Sequence, residues 1–350
     1  MYTRNMKIEN NVPLARYSTM KIGGEAKHLT HVTTEDELVE AIKWAKEKRL
    51  RFRVIGSGSN IVFTDEGYDG LIIIMDIKGI SHEGTTITAK AGEIWDDLVK
   101  YSTDLGLSGI ETLAAIPGTV GAAPVQNIGA YGQELADTFT HLLAYDTKLE
   151  KIVEMDRGDC KFGYRTSKFK SNHPEFEAGR YVILEITLEL KKEHLSPPFY
   201  TTLQAYIDEH NITDFSPASI RQIVTKWRHI YLPDPSNVPS NGSFFANPVI
   251  SGDRLERIKS QHPELANTDK DWFWEKDGKY KVAAGRLAEI AGLKDWHDKE
   301  TGMATWKNQA LVLVNEDAKA YSDLESFKNK YLDKIKTEYG LELEQEPEIV

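Results

Sequence analysis

Two glycine-rich segments constrain this chain more than any other feature. The first, Gly56-Ser57-Gly58-Ser59-Asn60, lies between two apparent strands, residues 51–55 and 61–63. The second, residues 117–132, carries Pro117, Gly118, Gly121, Pro124, Gly129 and Gly132, yet also Val120, Val125 and Ile128. Successive glycines let a turn aim several backbone N–H groups inward, a nest that suits phosphate oxygens. A plain Gly/Ser hairpin turn explains the first segment equally well. The dinucleotide fingerprint of a doubly wound fold is excluded, because no third glycine falls at the required offset and a strand follows rather than a helix. No Gly-Lys-Ser/Thr follows either, so this is not the phosphate loop of nucleotide hydrolases. Two such segments near strands suit a long ligand with a diphosphate and a flat ring better than two unrelated turns.

The flanking pattern mixes helix and strand. Leu38, Ala41, Ile42 and Ala45 recur at helical spacing within residues 34–48, and Thr34 with Glu37 predicts a capping box. Residues 51–55, 61–63, 71–75 and 85–91 read as strands, and 95–105 as a helix. Strands follow at 142–146, 151–155 and 181–190, the last alternating Val182, Leu184, Ile186, Leu188 and Leu190. Ser196-Pro197-Pro198 opens a loop, and residues 207–212 look partly helical. A helix over 217–231 puts Ile220, Ile223, Val224 and Trp227 on one face. Further helices are expected near 254–262, 283–291 and 322–339, with a strand at 310–315.

A chain of 350 residues exceeds one ordinary core, so two or three domains are expected. A net charge of −11 argues against a general nucleic-acid binder, which needs a basic face to displace counterions. The single cysteine, Cys160, excludes an internal disulfide and a multi-cysteine metal site, and fits a reducing compartment. It reads as an inert, partly buried thiol. The ten histidines make no ligand pair, so no metal is expected. No apolar run reaches the roughly 18–20 residues of a membrane span, and the first twenty residues lack a signal-peptide core. A cytoplasmic monomer with small-molecule partners is the expectation.

Several longer strings are more specific. They are Ser18-Thr19-Met20-Lys21-Ile22-Gly23-Gly24, the Gly56 turn, residues 116–132 and Phe162-Gly163-Tyr164-Arg165. Leu232-Pro233-Asp234-Pro235, Asn241-Gly242-Ser243-Phe244-Phe245, Ala284-Gly285, residues 308–315 and Glu346-Pro347-Glu348 follow in order. In these the chain resembles the UDP-N-acetylenolpyruvoylglucosamine reductases of peptidoglycan precursor synthesis. The resemblance implies an α+β fold: an FAD-binding pair of α/β subdomains of the vanillyl-alcohol oxidase type, plus a C-terminal α+β substrate-binding domain. The expected boundaries are 1–77 (joined by 338–350), 78–210 with a substrate loop near 195–210, and 211–337.

The resemblance also implies roles. Ile55, Gly56, Ser57, Gly58, Ser59 and Asn60 would hold the flavin pyrophosphate. Pro117, Gly118, Gly121, Ala122, Ile128, Gly129, Ala130 and Tyr131 would line the flavin, with Arg228 beside it. Tyr164, Tyr200, Asn247 and Gln309 match substrate-side positions, Tyr200 being the tyrosine of a loop that closes over the nucleotide sugar. Arg165, Ser243 and Glu348 match the catalytic positions. In the implied reaction, hydride passes from NADPH to FAD and on to the vinyl carbon of UDP-N-acetylglucosamine enolpyruvate. Arg165 and Glu348 stabilise the enolate-like charge, and Ser243 protonates C2 to give UDP-N-acetylmuramate. An arginine fork suits a carboxylate, whereas a serine is a weak acid that needs the enolate beside it. Two departures stand out: Tyr231 occupies a position where the family usually has lysine and Ala246 one where it often does, both on the nucleotide-sugar side. A second reading is a flavin oxidase of the same cofactor-binding fold, acting on an alcohol or hydroxy acid. A non-catalytic flavin- or nucleotide-sugar-binding protein is admitted as well.

Overall fold

Helix Glu35–Glu47 starts where the sequence places it, with Thr34 Oγ1 accepting the Glu37 N–H at 3.2 Å. The expected reciprocal bond is displaced by one residue. The Glu37 carboxylate takes the N–H and hydroxyl of Thr33, at 2.7 and 2.8 Å, instead of the Thr34 N–H. Leu38, Ala41, Ile42 and Ala45 are buried in the core that this helix shares with Leu71, Ile73 and Met75. Those three lie on strand Tyr68–Met75, one of the two inner strands of a four-stranded sheet ordered Glu9–Pro13, Glu25–Val32, Tyr68–Met75, Arg51–Ile55. Only the first pair is antiparallel. Tyr68–Met75 is buried from Gly70 through Met75, as a parallel strand covered on both faces must be.

The computed structural model describes residues 6–267 and 272–350, which divide into two units. One takes residues through Pro13, Glu25–Gly58 and Gly67–His229; the other takes Leu14–Gly24, Ser59–Glu66 and Ile230–Val350.

The first unit adds a second, antiparallel sheet ordered Lys151–Asp156, Phe139–Asp146, Tyr181–Glu189, Thr86–Lys90, Ile80–Glu83. Uninterrupted alternation would put Val182, Leu184, Ile186 and Leu188 on one face. A register shift between Leu143 and Ala144 of the neighbouring strand breaks it. Val182 and Leu184 consequently join the core under helix Glu35–Glu47, while Ile183, Ile186 and Leu188 join a second core. One extra residue in a ladder reverses which face each later side chain meets. The second core also takes Trp95 and Leu98 of helix Trp95–Asp104, Leu203 and Tyr206 of helix Thr201–Glu209, and Ile220, Ile223 and Val224 of helix Pro217–Tyr231. The helix read at 207–212 thus begins earlier, directly after Tyr200. Cys160 is wholly buried here rather than partly so.

The other unit is built on a four-stranded antiparallel sheet ordered Ser240–Ser243, Gln309–Asn315, Met303–Trp306, His297–Asp298. Helix Tyr321–Tyr339 packs on it through Leu324, Phe327, Tyr331, Ile335 and Tyr339, and Tyr331 stacks on Phe245 at 5.0 Å between centroids. Residues 14–24 and 59–66 belong to this unit although they come from the N-terminal fifth of the sequence. Asn241 explains the attachment: its Nδ2 donates to Thr19 Oγ1 and to the Ser59 carbonyl, both at 3.0 Å. Glu348–Ile349 pairs in parallel with Ile61–Val62.

Candidate active site

In the first unit, the two glycine-rich segments meet. A Cβ on Gly56 would fall 2.2 Å from Thr119 Oγ1, so only a glycine lets the backbone lie this close. Gly121 approaches Ala91 in the same way, with its N–H on the Ala91 carbonyl at 2.9 Å. Gly58 (φ 69°) and Gly118 (φ 142°) adopt backbone conformations that L side chains disfavour. Ile55 and Ile128 are core residues, whereas Ser57, Pro117 and Ala122 are exposed beside this contact.

Helix Pro217–Tyr231 directs two cations at the stretch after Asp96. Arg221 Nη2 bonds Asp96 Oδ2 at 2.7 Å, and Asp96 Oδ1 accepts the N–H of Ala115, held at φ 55°. Arg228 Nε donates to the Ala115 carbonyl at 3.2 Å, and the Tyr131 phenol lies near enough to act on its charge. Burial pushes the Arg228 guanidinium below its ordinary range while Tyr131 and Asp96 oppose the shift; burial likewise raises Tyr131. Tyr131 meets Tyr200 edge-on at 6.3 Å, so the predicted loop tyrosine lies against the predicted flavin segment.

Arg165 sits at the corner of a turn closed by two bonds between Gly163 and Thr166, N–H to carbonyl in each direction at 3.0 and 3.3 Å. Its φ of 55° is costly for a residue with a Cβ, about 1–2 kcal/mol. Its guanidinium donates to the Gly129 carbonyl at 2.8 Å and lies over the Tyr164 ring. The Arg165 carbonyl accepts the ammonium of buried Lys170 at 3.1 Å, and Asn127 Nδ2 donates to the Gly163 carbonyl at 3.2 Å.

The remaining predicted residues belong to the other unit. Ser243 ends strand Ser240–Ser243 opposite Val312, just after Gly242 turns the chain at φ 70°. Phe244 and Phe245 anchor it in the core. Beyond them the chain runs antiparallel to the C-terminal segment, with the Glu346 N–H on the Phe244 carbonyl and the Ala246 N–H on the Glu344 carbonyl, both 2.9 Å. That pairing brings buried Glu348 to the Ser243 end. The Glu348 N–H in turn bonds the Asn60 carbonyl at 3.0 Å, and Asn60 Nδ2 bonds the Glu346 carbonyl at 3.2 Å. Asn60, expected as a cofactor contact, therefore also anchors the chain end.

Asn247 and Gln309 converge on the start of helix Ala284–Ile290. Asn247 Oδ1 accepts the Ala284 N–H at 3.0 Å, and a Cβ on Gly285 would lie 2.7 Å from Gln309 Oε1. Ala246 is buried, and Tyr231 is exposed at the end of its helix. Four participants escaped sequence reasoning: Thr119, Asp96, Arg221 and Lys170. Thr119 and Asp96 carry no local signal, since they matter through distant partners. Arg221 was legible in principle, seven residues before Arg228 on the same helix face.

Comparison with known proteins adds an independent line. Residues 26–154 match the FAD binding domain family, and residues 234–350 match the UDP-N-acetylenolpyruvoylglucosamine reductase C-terminal domain family. The chain is 34% identical to the UDP-N-acetylenolpyruvoylglucosamine reductase of Pseudomonas aeruginosa, over 99% of both chains. It is 35% identical to the protein of that name from Ralstonia nicotianae, over 98% of this chain and 99% of the relative. In fold it aligns with the crystal structure of the Thermus caldophilus reductase over 99% of each chain, with a TM-score of 0.68 at 23% identity.

Proposed function

The chain belongs to the UDP-N-acetylenolpyruvoylglucosamine reductase family, and from that premise we propose that it reduces the enolpyruvyl ether of UDP-N-acetylglucosamine enolpyruvate to UDP-N-acetylmuramate. The residues present fit FAD: among the described residues the amides of Ser57 and Gly58 have no hydrogen-bond partner, and they sit on a turn pressed against the second glycine segment. Ile55 through Asn60 would hold the pyrophosphate, and Pro117 through Tyr131 with Arg228 would bind the ring system. When bound, the flavin relays hydride from NADPH to the vinyl carbon.

The protein's part is placement, charge and a proton. Arg165 offers a permanently charged fork to the substrate carboxylate as negative charge grows there. Glu348, in its protonated form, donates to the same carboxylate. Ser243 delivers the proton to C2, a step for which a positioned acid contributes roughly 10²–10⁴-fold. Tyr164, Tyr200, Asn247 and Gln309 orient the nucleotide sugar. In this reading the protein acts as a cytoplasmic monomer on small molecules, with no nucleic-acid or membrane partner. Residues 1–77, joined by 338–350, and 78–210 would carry the flavin, and 211–337, apart from Arg228, the substrate.

The observation that carries the reading is the setting of Arg165, a cation held at a strained turn corner against the segment assigned to the flavin. The test separates the half-reactions. Ser243→Ala should leave flavin bleaching by NADPH near the wild-type rate and slow reoxidation by substrate by on the order of 10² or more. Equal slowing of both halves would remove Ser243 from its role. Rapid oxygen consumption without substrate would favour an oxidase.

A further inference from the structure

We propose that Lys170 is a positioning residue for Arg165, fixing the turn from which that guanidinium is presented; this rests on the reading of Arg165 given above. Lys170 is 4% exposed. An ammonium withdrawn from water to that degree is retained only where it is bonded. Its Nζ donates to the Arg165 carbonyl at 3.1 Å and to Gln126 Oε1 at 3.3 Å. One cation thus joins the backbone of the catalytic arginine to the segment assigned to the flavin.

The geometry explains what this bond does. Arg165 adopts the left-handed conformation that favours glycine, and relieving that strain means turning about its N–Cα bond, which carries the rest of the residue with it. Such a rotation would swing the Arg165 carbonyl away, and Lys170 holds that oxygen. The rest of the loop is braced so that Lys170 itself stays put. Ser167 Oγ donates to the Val125 carbonyl at 2.6 Å, and the Lys170 N–H bonds the Ser167 carbonyl at 3.1 Å. With the Arg165 guanidinium on Gly129, the residue is held at both ends by neighbouring parts of one segment. A methionine of similar length fills the space but donates nothing.

The test uses the FAD-loaded full chain in anaerobic stopped-flow, comparing wild type, Lys170→Met, Lys170→Arg, Arg165→Met and the double variant Arg165→Met/Lys170→Met. Lys170→Met should keep its flavin and its rate of reduction by NADPH, but slow reoxidation by substrate by on the order of 10²-fold, the scale of a small misplacement. Lys170→Arg should recover most of that loss. In the Arg165→Met background, Lys170→Met should cause no further slowing, because it acts only through Arg165. Normal reoxidation in Lys170→Met, or a loss that adds fully to that of Arg165→Met, overturns the proposal. If Lys170→Met loses flavin, Lys170→Gln carries the same cycle, with the same supporting and overturning outcomes. Normal reoxidation in Arg165→Met would instead refute the role assigned to Arg165, a failure distinct from that of Lys170.

Discussion

At the scale of single residues, the sharpest constraint is Gly56 against Thr119. A methyl at position 56 must displace Thr119 Oγ1 from 2.2 Å, and Thr119 is buried beside the backbone of Gly118. Gly56→Ala is expected to lower unfolding free energy by about 1–3 kcal/mol, the usual cost of overpacking, and to weaken FAD retention. Thr119→Ala removes the two nearest atoms, so it should return part of both losses when combined with Gly56→Ala. Chemical denaturation and flavin stoichiometry of the three variants check this; strictly additive losses would show that the contact is not the cause. The glycine was visible in the sequence as a turn residue. Its partner was not, because Thr119 lies 63 positions away and nothing local marks it.

At the scale of elements, local signals set starts and stops while packing set details. Helices Glu35–Glu47, Trp95–Asp104 and Pro217–Tyr231 form where apolar periodicity places them. The first carries its Thr34 cap, though Glu37 reaches back to Thr33. Periodicity failed within Tyr181–Glu189, since a bulge is a property of two paired strands and alternation in one cannot reveal it. Asn247 shows how an element can claim a residue expected for substrate. Its Oδ1 satisfies the first N–H of helix Ala284–Ile290. Asn247→Ala should therefore cost about 0.5–2 kcal/mol, as lost caps do, seen as a lower thermal midpoint before any substrate is added. An unchanged midpoint with a raised KM would return the residue to a purely substrate-binding role.

At the scale of the whole molecule, the C-terminal residues are tied into a sheet. Glu348, two residues before the last, is held by parallel pairing with Ile61–Val62, and the Val350 N–H bonds the Val62 carbonyl at 2.9 Å. No described helix is long and apolar enough to cross a membrane. Cooperative unfolding has a built-in reporter in Cys160, whose thiol burial pushes up to about 12. A raised pKa keeps the group protonated, so at pH about 8 the folded protein should not react with a thiol reagent; on unfolding the value returns to about 8.5. Labelling should then track denaturant and coincide with loss of the circular-dichroism signal. Fast labelling without denaturant would show that the core around Cys160 opens locally.

By itself the sequence determined the family, the glycine turns and most helix and strand positions, and it marked Arg165, Ser243 and Glu348 as candidates, because each is written in short contiguous strings. The tertiary structure decided the rest. It joined Gly56 to Thr119, Asn241 to Thr19 and Ser59, and Glu348 to Asn60. It also set the turn at Arg165 and placed Lys170 on its carbonyl. Those facts depend on which distant backbone a side chain meets once the cores close, and a one-dimensional pattern holds no record of that distance.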